Sequence, residues 1–160
     1  MITRKPPALP TEQATTTFGE ILTRDGPHAA LRYLNGHGRY RFTAVYRREG
    51  DTMRNVHFYD RNDPQIERSS DLPVNATYCQ FAMARREQFV TNDAMEDVRL
   101  EGHPARGQVR AYCGVPLIDP EGTVLGSLCS FDFEPIEGDG VDLELMLSIP
   151  LSIPLRNITQ

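Results

Sequence analysis

Apolar side chains recur at helical spacing in two early segments of the chain. Residues 11–23 and the segment that begins at Pro27 each place such side chains on one face. These are Phe18, Ile21, Leu22, Ala30, Leu31 and Leu34. Asp25-Gly26-Pro27 separates the two segments. Pro27 predicts the start of the second one, because proline suits the first turn of a helix. Asn35-Gly36-His37-Gly38 ends the second pattern, so the sequence predicts two consecutive helices.

From Arg39 onward the apolar period changes to two, which is typical of β-strands. Residues 39–48 alternate aromatic or apolar side chains with polar ones, and Glu49-Gly50-Asp51 predicts a turn. Residues 53–59 then predict the returning strand of a hairpin. Residues 61–73 are polar and contain two prolines, so we expect a long loop there.

The middle of the chain predicts a helix and then a short strand. Residues 75–87 place apolar side chains at near-helical spacing, and residues 88–91 follow as a short β-prone run. Residues 92–107 are irregular and charged, with room for one turn of helix.

The clearest unit is a pair of apolar, β-prone runs at 109–118 and 123–133. Asp119-Pro120-Glu121-Gly122 joins them, and proline at the second position with glycine at the fourth fits a type I turn. The sequence therefore predicts a tight antiparallel hairpin. Residues 140–149 predict a closing helix that Pro150 ends.

These elements define an α+β protein with a single antiparallel sheet and helices on one or both faces. A chain of 160 residues fits one domain, which we place at 11–149. Residues 1–10 hold three of the twelve prolines and are expected to form a flexible tail. Residues 150–160 are expected to form a C-terminal tail.

Net charge and hydropathy limit the binding partners and the cellular compartment that we expect for the protein. The net charge of −5 disfavours binding to nucleic acid or to an anionic membrane. No apolar run approaches the roughly 20 residues that span a bilayer. The segment after Met1 lacks the apolar stretch of a secretory signal. We therefore expect a cytoplasmic protein that contacts neither nucleic acid nor membrane.

The number and the positions of the cysteine and lysine residues disfavour several kinds of site. The three cysteines, Cys79, Cys113 and Cys129, have no Cys-x-x-Cys spacing, which disfavours a zinc knuckle or a disulfide framework. The single lysine, Lys5, lies in the expected tail, so no Schiff-base lysine is predicted in a core. His57 and His103 are isolated in the sequence, and we predict no metal site.

The second hairpin carries a family signature. Its residues are Gly114-Val115-Pro116-Leu117, the turn Asp119–Gly122, Gly126-Ser127-Leu128-Cys129 and Asp132. This order resembles the GAF domain family, in which a Gly-x-Pro-Leu strand, an acidic-glycine turn, a Gly-(Ser/Thr/Val)-Leu-Cys strand and a terminal Asp recur. Residues 73–79 and 89–99 are similar to two further family segments, in the same order and spacing.

The resemblance implies a fold and a place for a ligand. GAF domains have a twisted antiparallel sheet of five to six strands with helices on one face. On the other face, loops and a short helix cover a small-molecule pocket. Family ligands include cyclic nucleotides, tetrapyrroles, haem and amino-acid derivatives. No Asn-Lys and no Cys-His dipeptide occurs here, which disfavours a cyclic nucleotide and covalent bilin attachment, so the ligand and any cofactor stay unknown.

The resemblance also implies a sensory or regulatory role without catalysis. The chain ends at Gln160, so we expect a stand-alone domain that acts through a homodimer or a separate signalling partner. Pro150 and Pro154 oppose the long exit helix that signalling members use as a dimer lever.

The candidate ligand-binding residues follow from these segments. They are Tyr78, Cys79, Asp93, Asp97, Tyr112 and Asp132. Cys79 flanks the expected pocket as a ligand-contact or redox thiol, or as a small buried hydrophobe. The tyrosines either line the pocket or pack in the core. Asp93 and Asp97 either bind ligand or form a solvated face, while Asp132 either binds a ligand cation or caps the following turn. Cys113 and Cys129 are interpreted as core residues on paired strands, and the sequence leaves open which face of the sheet each side chain points to.

Two alternatives stay open beside the sensor hypothesis. One GAF branch reduces free methionine-(R)-sulfoxide with a thiolate, a resolving cysteine and pocket carboxylates. Cys79 and Asp132 lie near two of its positions, but residues 101–108 lack the catalytic cysteine, and Arg110 and Ala111 replace the expected glutamate. The other alternative is an interaction or dimerisation module with a vestigial pocket.

Overall fold

Six strands form one antiparallel sheet in the order β3-β2-β1-β6-β5-β4. A computed structural model describes residues 11–138 and 143–149 of the protein. The strands are β1 (Phe42–Glu49), β2 (Thr52–Asp60), β3 (Leu72–Pro73), β4 (Phe89–Thr91), β5 (Ala111–Ile118) and β6 (Val124–Asp132). The helices are α1 (Thr11–Asp25), α2 (Pro27–Asn35), α3 (Cys79–Arg85) and α4 (Leu143–Ser148), with 3₁₀ turns at Val74–Ala76 and Val98–Leu100. This is the predicted α+β architecture.

One face of the sheet packs against helices α1, α2 and α4. Period-two alternation sends every second strand residue to this side. The buried core here includes Phe18, Leu31, Leu34, Val45, Val56, Cys113, Val115, Leu117, Leu128, Leu145, Met146 and Ile149. Its side chains are aliphatic in the main, and their burial stabilises the domain.

The opposite face is covered by α3 and by the loops around it. Its buried cluster includes Phe42, Ala44, Tyr46, Met53, Phe58, Tyr78, Cys79, Met83, Phe89, Leu100, Tyr112 and Cys129. Aromatic rings and thiols are more frequent here than on the helical face. Cys113 and Cys129 thus lie on opposite faces of the sheet, which settles the orientation that the sequence left open.

The family hairpin is formed by β5 and β6, which pair from Ala111↔Asp132 to Ile118↔Val124. The predicted turn is present, with a hydrogen bond from the Gly122 amide to the Asp119 carbonyl and a positive φ at Gly122. β4 pairs with β5 no further than Gly114, so Pro116 lies past the end of that neighbour, where its missing N–H costs nothing.

Three predicted boundaries are wrong in detail. The segment 61–73 does not stay a loop throughout, because Leu72 and Pro73 pair with Met53 and Thr52 to form the edge strand β3. The helix predicted at 75–87 begins at Cys79, after a 3₁₀ turn and the extended Thr77. β1 begins at Phe42 instead of Arg39.

The predicted tails at 1–10 and 150–160, the first residues of the closing helix and the stop at Pro150 lie outside the described residues. Within the described part, no helix is both long and apolar enough to cross a bilayer.

A histidine at the start of α2 holds the rest of the loop between β2 and β3. His28 Nδ1 lies 3.0 Å from the Phe58 carbonyl oxygen, and its Nε2 lies 2.8 Å from that of Pro64. Both carbonyls are acceptors, so only a ring with a proton on each nitrogen donates to both. His28 therefore joins α2, β2 and the loop through two hydrogen bonds in its imidazolium form and one in its neutral form.

Candidate functional site

A cavity of about 50 Å³ lies between the sheet and the cover formed by α3 and the following loops. Its walls are Tyr46, Leu72, Ala76, Thr77, Tyr78, Cys79, Ala105, Val109, Tyr112, Cys129 and Phe131. The walls are chiefly apolar, with a few hydroxyl and thiol groups. Because one water molecule needs roughly 10–15 Å³ of cavity volume, the cavity holds a few water-sized groups. Drug-sized ligands occupy about 300–1,000 Å³, so a larger ligand needs the cover to move.

The strands supply the floor of the cavity. Tyr46, Tyr112 and Cys129 point to this side by alternation along β1, β5 and β6. Gly114 shares the strand face of Tyr112, and a Cβ at Gly114 would overlap the Tyr112 ring. The glycine therefore lets this ring lie along its own strand, which directs the phenolic hydroxyl toward Cys79.

Two thiols meet on this floor. Cys79 Sγ accepts a hydrogen bond from the Tyr112 hydroxyl at 3.3 Å, and Cys129 lies in the same buried cluster. The Cys129 side chain, followed by the Tyr112 hydroxyl, lowers the pKa of Cys79 despite its burial. The Cys79 side chain, followed by burial, raises the pKa of Cys129. Cys79 is therefore the thiol that ionises first, while Cys129 keeps its proton.

The segment 101–110, which we call the roof loop, borders the mouth of the cavity through Ala105 and Val109. The Tyr78 hydroxyl donates to the Val109 carbonyl at 2.8 Å. His103 Nδ1 accepts the Ala105 amide at 3.1 Å, so its proton is on Nε2, which lies 3.2 Å from the Thr77 carbonyl. Burial lowers the pKa of His103, which favours this neutral ring. These contacts tie the roof loop to the residues at the start of α3.

The structure brings together three of the six predicted ligand-binding residues. Tyr78, Cys79 and Tyr112 all line the cavity and are buried. Their contact with a ligand stays a prediction.

The three predicted aspartates lie elsewhere. Asp93 forms a two-pronged ion pair with Arg110, at 3.0 and 3.1 Å. Asp97 caps the 3₁₀ turn that follows it and pairs with Arg99. Asp132 accepts the amides of Arg41 and Glu134 at the end of β6. Their carboxylates have these structural partners, and a ligand role for them also stays a prediction.

Sequence reasoning missed several cavity residues. Tyr46, Thr77 and Phe131 line the cavity but were not candidates, and Cys129 was interpreted only as core. The alternation in β1 contained a signal for Tyr46, since it points to the same side as Phe42 and Ala44. His103 holds the roof loop through a contact that no local pattern predicts.

Asp97 offers a test of how the cover is held. Its carboxylate accepts the Arg99 amide at 3.0 Å and the Arg99 Nε at 2.9 Å, and Arg99 also donates to the Val90 carbonyl of β4. The Arg99 side chain, followed by smaller hydrogen-bond contributions, lowers the pKa of Asp97 to about 2. We expect Asp97→Asn to cost about 1 kcal/mol near neutral pH, because the pair is partly exposed to solvent.

The lowered pKa of Asp97 sets the direction in which this stability difference changes with pH. A carboxylate with a lowered folded pKa stabilises the fold above its unfolded pKa of about 3.9, and this is lost as pH falls toward about 2. Urea unfolding at several pH values should therefore show a difference between wild type and Asp97→Asn that shrinks with acid. Glu96→Gln, an exposed neighbour, is the control and should show no such difference. A constant deficit for Asp97→Asn across the acid range would contradict the assignment.

The fold and the covered cavity agree with a known domain family. Residues 26–149 match the GAF domain family, and the chain belongs to this family.

Individual relatives are more distant. A cyclic di-GMP phosphodiesterase of Pseudomonas aeruginosa is 36% identical over 66 residues, which make up 39% of this chain and 11% of that protein. The chain thus spans a small part of the length of this relative. Free methionine-R-sulfoxide reductase from Neisseria meningitidis, solved with its substrate, has a TM-score of 0.65 at 15% identity, covering 99% of this chain and 94% of that one. A GAF sensor protein from Burkholderia vietnamiensis, described as putative, has a TM-score of 0.62 at 17% identity, covering 94% of each chain.

At these identities the two structures share the fold.

Proposed function

We propose that this chain is a sensory or regulatory domain that binds a small molecule in the cavity between the sheet and α3. One observation supports this most strongly. The covered face has a cavity whose floor is aromatic and thiol-bearing, while the helical face has a mainly aliphatic buried core. A domain that served only as a scaffold would gain stability by filling this space with side chains.

The roof loop is the element that would respond to a ligand. Leu72, Ala76, Ala105 and Val109 at the mouth keep some exposure, whereas Tyr46, Cys79, Tyr112 and Cys129 below them are buried. A ligand of more than a few atoms has to displace residues 101–110, which are held by Tyr78 and His103. Ligand binding would thereby change the outer surface of the domain, which a partner can recognise.

The output of such a domain would pass through another protein surface. We propose a homodimer or a separate signalling partner in the cytoplasm. α4 packs on α1 and leaves Leu147 exposed, so this pair of helices offers a contact surface beside the helical core.

The experiment begins with native mass spectrometry of freshly purified protein, to identify a co-purifying small molecule. A thermal-shift screen follows, and it includes free methionine-R-sulfoxide because the Neisseria structure contains that substrate. The expected result is one compound that raises the melting temperature of the wild type.

Two leucine variants locate the binding. Ala105→Leu places a larger side chain at the mouth of the cavity and should abolish the shift. Ala84→Leu is the same change on the exposed side of α3 and should retain it. Equal shifts in both variants would place the ligand elsewhere. A clean apo mass with no stabilising compound would favour an interaction module with a vestigial pocket.

A further inference from the structure

We propose that Cys79 and Cys129 form a dithiol site that a small hydroperoxide, entering the cavity, oxidises to an intramolecular disulfide. The inference rests on the proposed function in using the same cavity, and it names a class of molecule that the cavity would sense. It requires only that a reagent of a few atoms reaches the floor.

The first support is the placement of the two thiols. Cys79 is the first residue of α3 and Cys129 lies in the middle of β6, and α3 packs directly on this strand. The two cysteines belong to the same buried cluster. Both are free, and both line the cavity. A nucleophile and a resolving thiol are therefore present in the wall of one cavity.

The second support is the chemistry around Cys79. The Tyr112 hydroxyl donates to Cys79 Sγ at 3.3 Å, and a donor of this kind stabilises a thiolate. The Cys129 side chain also lowers the pKa of Cys79. The thiolate is the form of cysteine that attacks peroxides. Cys113 provides the contrast within the same chain, because burial in the helical core raises its pKa to about 12.

The third support is size. Cys79 and Cys129 are 2% and 1% exposed, so a reagent reaches them only through the cavity. A volume of about 50 Å³ admits hydrogen peroxide or a short alkyl hydroperoxide, and it excludes a nucleotide unless the roof loop moves. Bulky alkylating reagents should react slowly for the same reason.

The reaction balances in two steps. The Cys79 thiolate attacks one oxygen of the hydroperoxide, the S–O bond forms as the O–O bond breaks, and the departing oxygen takes a proton and leaves as water or alcohol. The Cys129 thiol then loses its proton and attacks the sulfenic sulfur of Cys79. The S–S bond forms, the S–O bond breaks, and water leaves. The two thiols lose two electrons in total, which the hydroperoxide accepts.

The decisive measurement needs no variant. Wild-type protein is treated with a stoichiometric amount of hydrogen peroxide, and its intact mass and disulfide map are recorded. Cleavage at Glu121 separates Cys113 from Cys129, so the map distinguishes the two. We expect a loss of two hydrogen atoms, a Cys79–Cys129 linkage that dithiothreitol reverses, and a free Cys113. We also expect oxidation of Cys79 to be more than about 100-fold faster than that of Cys113 near neutral pH.

Four variants resolve the steps. Cys129→Ser should stop at a sulfenic acid on Cys79 that dimedone traps, and Cys79→Ser should abolish the fast reaction. Tyr112→Phe should slow the reaction and move its pH profile upward, because the thiolate loses a donor. Cys113→Ser is the matched control and should react like the wild type.

Several results would overturn the inference. These are a wild-type map without the Cys79–Cys129 linkage, oxidation that begins at Cys113, or a rate that does not change in Tyr112→Phe. A stabilising ligand found without disulfide formation would refute this inference alone. Disulfide formation without any stabilising ligand would instead refute the broader binding proposal and leave the dithiol site standing.

Discussion

Gly126→Ala is expected to destabilise the domain by about 3 kcal/mol or more, the largest effect of any single methyl group in this sheet. Gly126 pairs with Arg47 at the junction of β1 and β6, the two central strands. A Cβ at this position would fall onto the carbonyl oxygen of Tyr46 and within 2.9 Å of the Arg47 Cα. These are backbone atoms of a paired strand, so they cannot rotate away as a side chain would.

The cost arises from space and not from backbone conformation, because Gly126 does not adopt a positive φ. Gly19 is the matched control. It lies within α1, where a new methyl group would meet nothing within 4 Å, and Gly19→Ala should stabilise the helix by up to about 1 kcal/mol. Urea unfolding of both variants measures whether each substitution lowers or raises the free energy of unfolding. A neutral Gly126→Ala would mean that β1 and β6 can separate locally at little cost.

The sheet separates the aliphatic core on one of its faces from the candidate site on the other. The aliphatic core lies between the sheet and α1, α2 and α4, while the thiols, tyrosines and the roof loop lie on the other side. β6 serves both sides, with Leu128 on the helical face and Cys129 on the cavity face. The cavity lies on this second side, so the sheet stands between it and the aliphatic core.

Much of the sheet could be predicted from the sequence because its patterns are local. The period-two run that became β1, the returning strand β2, the apolar, β-prone runs that became β5 and β6, and the turn with Gly122 each depend on residues next to one another in the chain. The opposite orientation of Cys113 and Cys129 follows from alternation once the hairpin register is known. These elements are also the ones that the family resemblance covers.

The candidate site was harder to predict, because its contacts join residues far apart in the sequence. Cys79 meets Tyr112 across 33 positions, and His103 meets the carbonyl of Thr77 across 26. The aspartates illustrate the same limit. The charges of Asp93 and Asp97 were visible, but the sequence could not show that Arg110 and Arg99 already pair with them. Local patterns place residues on elements, and tertiary packing decides which of them meet.

Asn35→Asp should also destabilise the domain by about 3 kcal/mol near neutral pH, although it changes the side chain by one atom. Asn35 is 3% exposed at the end of α2. Its Nδ2 donates to the Tyr40 carbonyl and to Thr43 Oγ1, each at 3.0 Å, while its Oδ1 accepts Arg61 Nε at 2.9 Å. Aspartate preserves the contact with Arg61 but places a carboxylate oxygen against the Tyr40 carbonyl, where two acceptors repel each other.

The matched control is Asn92→Asp, the same change at an exposed position whose Nδ2 donates to the Gly138 carbonyl. It should cost well under about 1 kcal/mol, because water can solvate the new carboxylate. Protonation of the introduced carboxyl restores a donor toward Tyr40, so the deficit of Asn35→Asp should narrow as pH falls toward about 4. Equal losses in the two variants, or a deficit that widens with acid, would show that the Nδ2 donor does not hold α2 to β1. Since Thr43 also contacts Ser130 of β6 at 2.8 Å, the same measurement reports how firmly the helical face fixes the strand that carries Cys129.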